Sequence, residues 1–121
     1  MMLKRLIGSF KDAGHGLRYA FSREQNFRLQ IFVAFIVLVC MVVFPLKNWE
    51  IILLILLVMM VLTMELLNTA MEQFSDLLKP RLHDYVFVIK DIMAAAVLIT
   101  SIGSGIVGLI ILLPYFLSWW K

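Results

Sequence analysis

An all-α membrane protein is the fold class this sequence predicts, and three observations carry the prediction. Of its 121 residues 63% are hydrophobic and only 16% are charged, with a mean hydropathy of +0.98; soluble domains sit near 45–50% apolar and about 25% charged. Three apolar runs reach the roughly 20 residues that cross a bilayer as helix, and they leave room for a single domain of residues 1–121. A basic, amphipathic stretch precedes them. This composition excludes a disordered tail and disfavours a soluble catalytic domain. It also makes anionic lipid headgroups, and not nucleic acid, the nearest partner for the net charge of +3.

The first predicted element, residues 3–22, carries Leu3, Leu6, Ile7, Phe10, Leu17 and Phe21 within an arc of about 100° at helical spacing, with Lys4, Arg5 and Lys11 off that stripe. Too charged to span, it is expected to lie in the cytoplasmic interface. Gly8, Gly14 and Gly16 each cost about 1 kcal/mol against alanine in a helix, and a break near Gly14 to Gly16 is expected.

The first span is placed at 27–46 and closes around Pro45, where a helix stops readily. It begins only near residue 27 and reaches spanning length, so no separate signal peptide is expected. Cys40 lies within it and, as the one cysteine, has no intramolecular disulfide partner. The second span covers 49–79. It is apolar from Ile51 to Leu62, then acquires Glu65, Asn68, Thr69, Glu72 and Asp76 with no helix breaker before Pro80, so the helix should run on into the cytoplasm. Arg81 to Tyr85 is expected to turn the chain back.

The third span covers 90–117, apolar from Ile92 to Leu113, with Pro114 and an aromatic finish of Tyr115, Phe116, Trp119 and Trp120 at the outer interface. Ser101 with Gly105, and Ser104 with Gly108, are small residues four apart that let helices approach closely in lipid. Lys4, Arg5, Lys11, Arg18, Arg23 and Arg28 precede the first span; Lys79, Arg81 and Lys90 fall in the second gap; Lys47 lies in the first gap and Lys121 at the end. The positive-inside rule therefore puts the N-terminus in the cytoplasm and the C-terminus outside the cell membrane.

Chemistry concentrates at one end of the second span. Glu65, Glu72 and Asp76 are separated by seven and four residues, which on a helix gathers them within an arc of roughly 40°. Counted at about 1.5 Å per residue from Trp49, Glu65 lies roughly 24 Å into a core about 30 Å thick, at headgroup depth. For Glu72 and Asp76 a solvated polar helix end explains the acids as well as a site does. For Glu65 the cost of a carboxylate beside lipid favours function. Three acids on one face repel unless a cation joins them, and Mg²⁺, which takes carboxylates, water and phosphates, suits that role.

Lys90 and Asp91 open the third span at the same end, where a lysine can neutralise phosphate oxygens. Glu24 and Arg28 add an acid and a base one turn apart, equally readable as an ion pair at the headgroups. No G-x-x-x-x-G-K-[ST] loop is present, so a nucleotide would need another scaffold. His15 and His83 are too few for a zinc site, and His83 reads as a solvated loop residue or a nucleotide contact. A proton-coupled transporter would want its acid nearer the midplane; a catalytically silent membrane scaffold is the other rival.

The run Glu65-Leu66-Leu67-Asn68-Thr69-Ala70-Met71-Glu72, then Asp76, then Lys90-Asp91 and Ala94-Ala95-Ala96-Val97, resembles the small prokaryotic diacylglycerol kinase and undecaprenol kinase family. That family's motif reads E-x-x-N-[ST]-A-x-E-x-x-x-D followed by K-D and a small-residue segment. The resemblance covers nearly the whole chain, including Asn26-Phe27-Arg28. It implies a homotrimer that moves the γ-phosphate of ATP to a membrane lipid alcohol, undecaprenol before diacylglycerol. It further implies Glu65 as the base with Asn68 positioning it, Glu24 and Glu72 on Mg²⁺, and Lys90, Asp91, Asp76, His83 and Arg5 around the nucleotide. A partly desolvated Glu65 would be a better base than a solvated one. Two features depart from the pattern: the apolar stretch Tyr85 to Ile89, and Gln30, where relatives often carry a charged or histidine side chain.

Overall fold

The computed structural model describes residues 1–81 and 83–120; Leu82, in the expected turn, and Lys121 lie outside the described residues. Four helices follow one another: α1 (Met2–Arg23), α2 (Gln25–Val43), α3 (Asn48–Leu78) and α4 (His83–Trp120). The last three are long and apolar enough to cross a membrane. At about 1.5 Å per residue α2 is close to the core thickness of about 30 Å, whereas α3 and α4 exceed it by half or more, so polar ends of both must emerge from the lipid.

The helix boundaries follow local chemistry. Chain direction changes between α1 and α2 at Glu24, whose extended backbone interrupts the helix while its N–H still bonds the Ala20 carbonyl. Arg28 donates to the carbonyls of Phe21 at 2.9 Å and Ser22 at 3.2 Å. It therefore caps the C-terminus of α1 with positive charge where the carbonyls lack partners, a use different from the expected pairing with Glu24. Helix α2 ends at Val43 because Phe44 precedes Pro45 and is extended, as residues before proline prefer. At the start of α3 the Glu50 carboxylate accepts the Lys47 N–H at 2.9 Å, half of a capping box.

Two expectations about helix continuity are corrected. No break occurs at Gly14 to Gly16: α1 is one helix, none of its glycines adopts positive φ, and a Cβ at any of them would meet open space. The apolar stripe of α1, from Leu3 to Phe21, lies exposed on the surface, as an interfacial helix requires. Nor does the expected turn run on to Tyr85: the third long helix contains the expected 90–117 segment and extends beyond it at both ends. It begins at His83, so that Tyr85 to Ile89 form its first turns with Val86 buried, and it carries Pro114 internally. Proline there removes the bond to the Ile110 carbonyl, a loss set against aromatic packing beyond it.

That packing is the outer core. The Phe44 ring, buried at the end of α2, meets Phe116 edge-on at 4.8 Å, Trp119 at 6.5 Å and Tyr115 at 6.1 Å between centroids. Such pairs contribute about 0.5–1.5 kcal/mol each beyond area burial. Cys40, Leu54, Ile111 and Leu112 continue the cluster inward along the bundle. Glu50, buried beside it, accepts a hydrogen bond from the Tyr115 hydroxyl. The start of α3 is thereby pinned to α4 across 65 residues of chain. Tyr115→Phe is expected to lower the thermal unfolding midpoint of the detergent-solubilised protein by a few degrees, because it leaves a buried carboxylate short of a donor. An unchanged midpoint would contradict the clamp.

Candidate functional site

Toward the opposite end of the bundle α2, α3 and α4 line a cavity of about 430 Å³. Its polar wall comes from Asn26 and Gln30 of α2, from Glu65, Asn68 and Glu72 of α3, and from Lys90 of α4. Met71, Met93, Ala94, Val97 and Leu98 supply the apolar remainder. Helical spacing explains the polar wall: residues 65, 68 and 72 follow the i, i+3, i+7 pattern that keeps side chains on one face.

Glu65 is the deepest of these groups, 1% exposed. A buried carboxylate requires donors, and the one side chain that supplies one among the described residues is Gln30, whose Nε2 lies 3.3 Å from Glu65 Oε2. One turn further, Asn68 Nδ2 donates to Glu72 Oε1 at 3.3 Å. The Thr69 hydroxyl bonds back to the Glu65 carbonyl at 3.0 Å and is satisfied within its own helix. Lys90 Nζ donates to Asp76 Oδ1 at 3.2 Å, an ion pair with both partners partly exposed that holds the ammonium at the cavity rim. Pairs of this kind add about 0–1 kcal/mol, so the contact matters for where it keeps Lys90.

Of the residues singled out in the sequence, the fold thus brings Glu65, Asn68, Glu72 and Lys90 to one cavity, with Asp76 attached through Lys90. Glu24 is half-buried at the α1–α2 elbow on the same side. Asp91 and Arg5 are exposed and do not line that cavity. His83 is exposed too, its ring packed edge-on against Phe87 at 4.6 Å.

Glu50 gains a prominence that its sequence context did not give it, and Gln30, which the sequence marks only as a departure from the family pattern, gains a contact with Glu65. For Gln30 a signal existed, a lone amide within the apolar run from Leu29 to Phe44. For Glu50 the signal was an acid at the third position of a helix; nothing local marks Tyr115 as its partner.

The donors present can be tested against a divalent cation. Among the described residues no group of three or more His, Cys, Asp or Glu side chains is gathered closely enough to hold a metal. What the cavity offers is carboxylate oxygen beside a lysine, which fits Mg²⁺ arriving with phosphates that complete its coordination, as that ion prefers, and does not fit a resident metal with an all-protein shell.

A second cavity, of about 500 Å³ and largely apolar, adjoins the first. It runs between α2, α3 and α4 past Val33, Val37, Leu57, Val61, Gly105 and Gly108, and Gln30 and Ser101 line both cavities. A charged compartment and an apolar one therefore meet at these two side chains.

Comparison with known proteins accords with this geometry. The family described as Prokaryotic diacylglycerol kinase matches residues 11–112. A diacylglycerol kinase of Synechocystis sp. is 37% identical over 114 residues, 93% of this chain, although the chain spans only 65% of that relative's length. An undecaprenol kinase of Bacillus subtilis is 36% identical over 112 residues, covering 93% of this chain and 91% of the relative. A diacylglycerol kinase of Haemophilus influenzae is 36% identical over 105 residues, 87% of this chain and 89% of the relative. With three long apolar helices and a family match across most of its length, this chain is a membrane protein that belongs to the prokaryotic diacylglycerol kinase family.

Proposed function

We propose that this chain is a lipid kinase that transfers the γ-phosphate of ATP to the hydroxyl of a membrane lipid alcohol, undecaprenol in preference to diacylglycerol. The observation that carries the reading is the placement of a buried carboxylate, Glu65, in a cavity that has Glu72 and Lys90 on one side and an apolar groove on the other. A lipid alcohol has the matching shape: one hydroxyl on a hydrocarbon body that stays in the membrane. The preference for undecaprenol rests on the resemblance of Asn68-Thr69-Ala70 and of Ile106-Val107-Gly108-Leu109-Ile110 to undecaprenol kinases. A prenyl chain and two acyl chains dissolve equally well in lipid.

Phosphoryl transfer asks little covalent chemistry of a protein, chiefly position and charge. In this reading Glu65 accepts the hydroxyl proton as the alcohol oxygen bonds to the γ-phosphorus, while the bond from that phosphorus to the bridging oxygen breaks and ADP leaves. Asn68 orients Glu72 and helps align the acceptor. Lys90 draws the phosphate oxygens to the rim, with Asp76 holding its ammonium in place. Glu24 and Glu72 would hold Mg²⁺, which neutralises phosphate charge when bound. Asp91, His83 and Arg5 remain assigned to the nucleotide's periphery. They stand outside the cavity of one chain, and the small-residue face of α4 meets no side chain that would crowd a Cβ. Both observations support completion of the site between copies in a homotrimer. In this reading the N-terminus lies in the cytoplasm and the C-terminus outside, as the distribution of Lys and Arg suggests, so that the cavity faces the side where ATP is found.

Glu65→Gln is expected to lower kcat by about 10²- to 10⁴-fold, as loss of a positioned base does, while the KM for ATP stays within about threefold; a change confined to KM would refute the role. Glu72→Ala should abolish turnover at any Mg²⁺ concentration, and full turnover at saturating Mg²⁺ would remove Glu72 from the metal site. Sedimentation of the protein in density-matched detergent should return three chains per particle; a monomer with full activity would exclude a shared site.

A further inference from the structure

Glu65 is buried and takes a single side-chain hydrogen bond, from the amide nitrogen of Gln30, at 3.3 Å. Gln30 lies on a different helix, 35 residues away in sequence. Its other amide atom, Oε1, is buried with no partner among the described residues. An unpartnered buried acceptor costs about 1–3 kcal/mol, and such groups call for an explanation. Turning the amide over would relieve nothing, because its oxygen would then face a carboxylate oxygen with no hydrogen between them. The orientation seen is the one in which a glutamine can serve Glu65, and it leaves the amide oxygen orphaned.

The consequence for Glu65 is specific. With Oε2 engaged by Gln30, the carboxylate cannot rotate freely, and among the described residues no side chain donates to Oε1. Gln30 also lines both the charged cavity and the apolar groove, so this bond forms where the two compartments meet. A hydroxyl carried on an apolar chain would come to Glu65 past this side chain.

We propose that Gln30 is a positioning residue for the phosphoryl transfer: its amide fixes the Glu65 carboxylate so that one defined oxygen, Oε1, is presented to the acceptor hydroxyl. The inference rests on the reading of Glu65 as the base. It places Gln30 in the role of holding the base, with no direct contact to the reacting phosphorus, and it makes α2 a functional partner of α3.

The test is a double-mutant cycle on the full-length protein in mixed micelles with MgATP and a lipid alcohol, each variant being checked for native elution and helical content. Gln30→Met, similar in length but without a donor, should lower kcat about tenfold while the KM for MgATP stays within about twofold. In the Glu65→Gln background the same substitution should lower kcat no further, since there is no base left to position. Gln30→His, which keeps an N–H donor, should recover at least part of the loss. Should Gln30→Met fail to fold, Gln30→Leu takes its place in the cycle. Equal losses in both backgrounds, or no loss in either, with Glu65→Gln itself strongly impaired, would overturn the positioning role alone. An unimpaired Glu65→Gln would instead overturn the reading of the base on which it rests.

Discussion

A carboxylate buried in the flank of an apolar helix is the constraint around which this molecule is arranged. Glu65 is 1% exposed, and burial of a charge that has few donors is among the costliest placements a chain can adopt. It persists here because helices on either side of α3 are shaped to it. Gln30 on α2 reaches the carboxylate, and α4 stands away from α2 far enough to leave a cavity in which a ligand's groups can enter. Polar side chains within membrane helices tend to face such interiors and to be functional, and Asn68 and Glu72 extend the polar face in the direction of the aqueous end.

The cavity depends in turn on the opposite end of the bundle. There Phe44 packs on Phe116 and Trp119, and Tyr115 bonds to Glu50, so that α2, α3 and α4 are held together at one level. The cavity is lined by helix side chains of α2, α3 and α4 and needs no dedicated loop. The polar cavity and the apolar one meet at Gln30 and Ser101, which is the juxtaposition the proposed transfer between a nucleotide and a lipid hydroxyl uses. Among the described residues Lys90 supplies the cation that lines this cavity, and its contact with Asp76 holds it at the rim.

Much of this was legible in the residues, for identifiable reasons. The three apolar runs and the amphipathic stripe of α1 follow from composition and the 3.6-residue period. The gathering of Glu65, Asn68 and Glu72 on one face follows from spacing within a single helix. What spacing cannot convey is contact between helices: the bonds from Gln30 to Glu65 and from Tyr115 to Glu50 span 35 and 65 residues. Local rules also misjudged continuity in α1, because its glycines each carry a modest local cost that the surrounding helix absorbs. Spacing also allows an ion pair between Glu24 and Arg28, but the guanidinium instead serves the carbonyls of Phe21 and Ser22 at the end of α1.

The central claim is that this cavity passes phosphate from a nucleotide to a lipid hydroxyl. The most direct measurement is transfer from γ-labelled ATP by the purified full chain in mixed micelles, with undecaprenol and diacylglycerol offered separately, with and without Mg²⁺. The account predicts Mg²⁺-dependent label in the extracted lipid, with undecaprenol the faster acceptor. Folded protein that labels neither alcohol would contradict it.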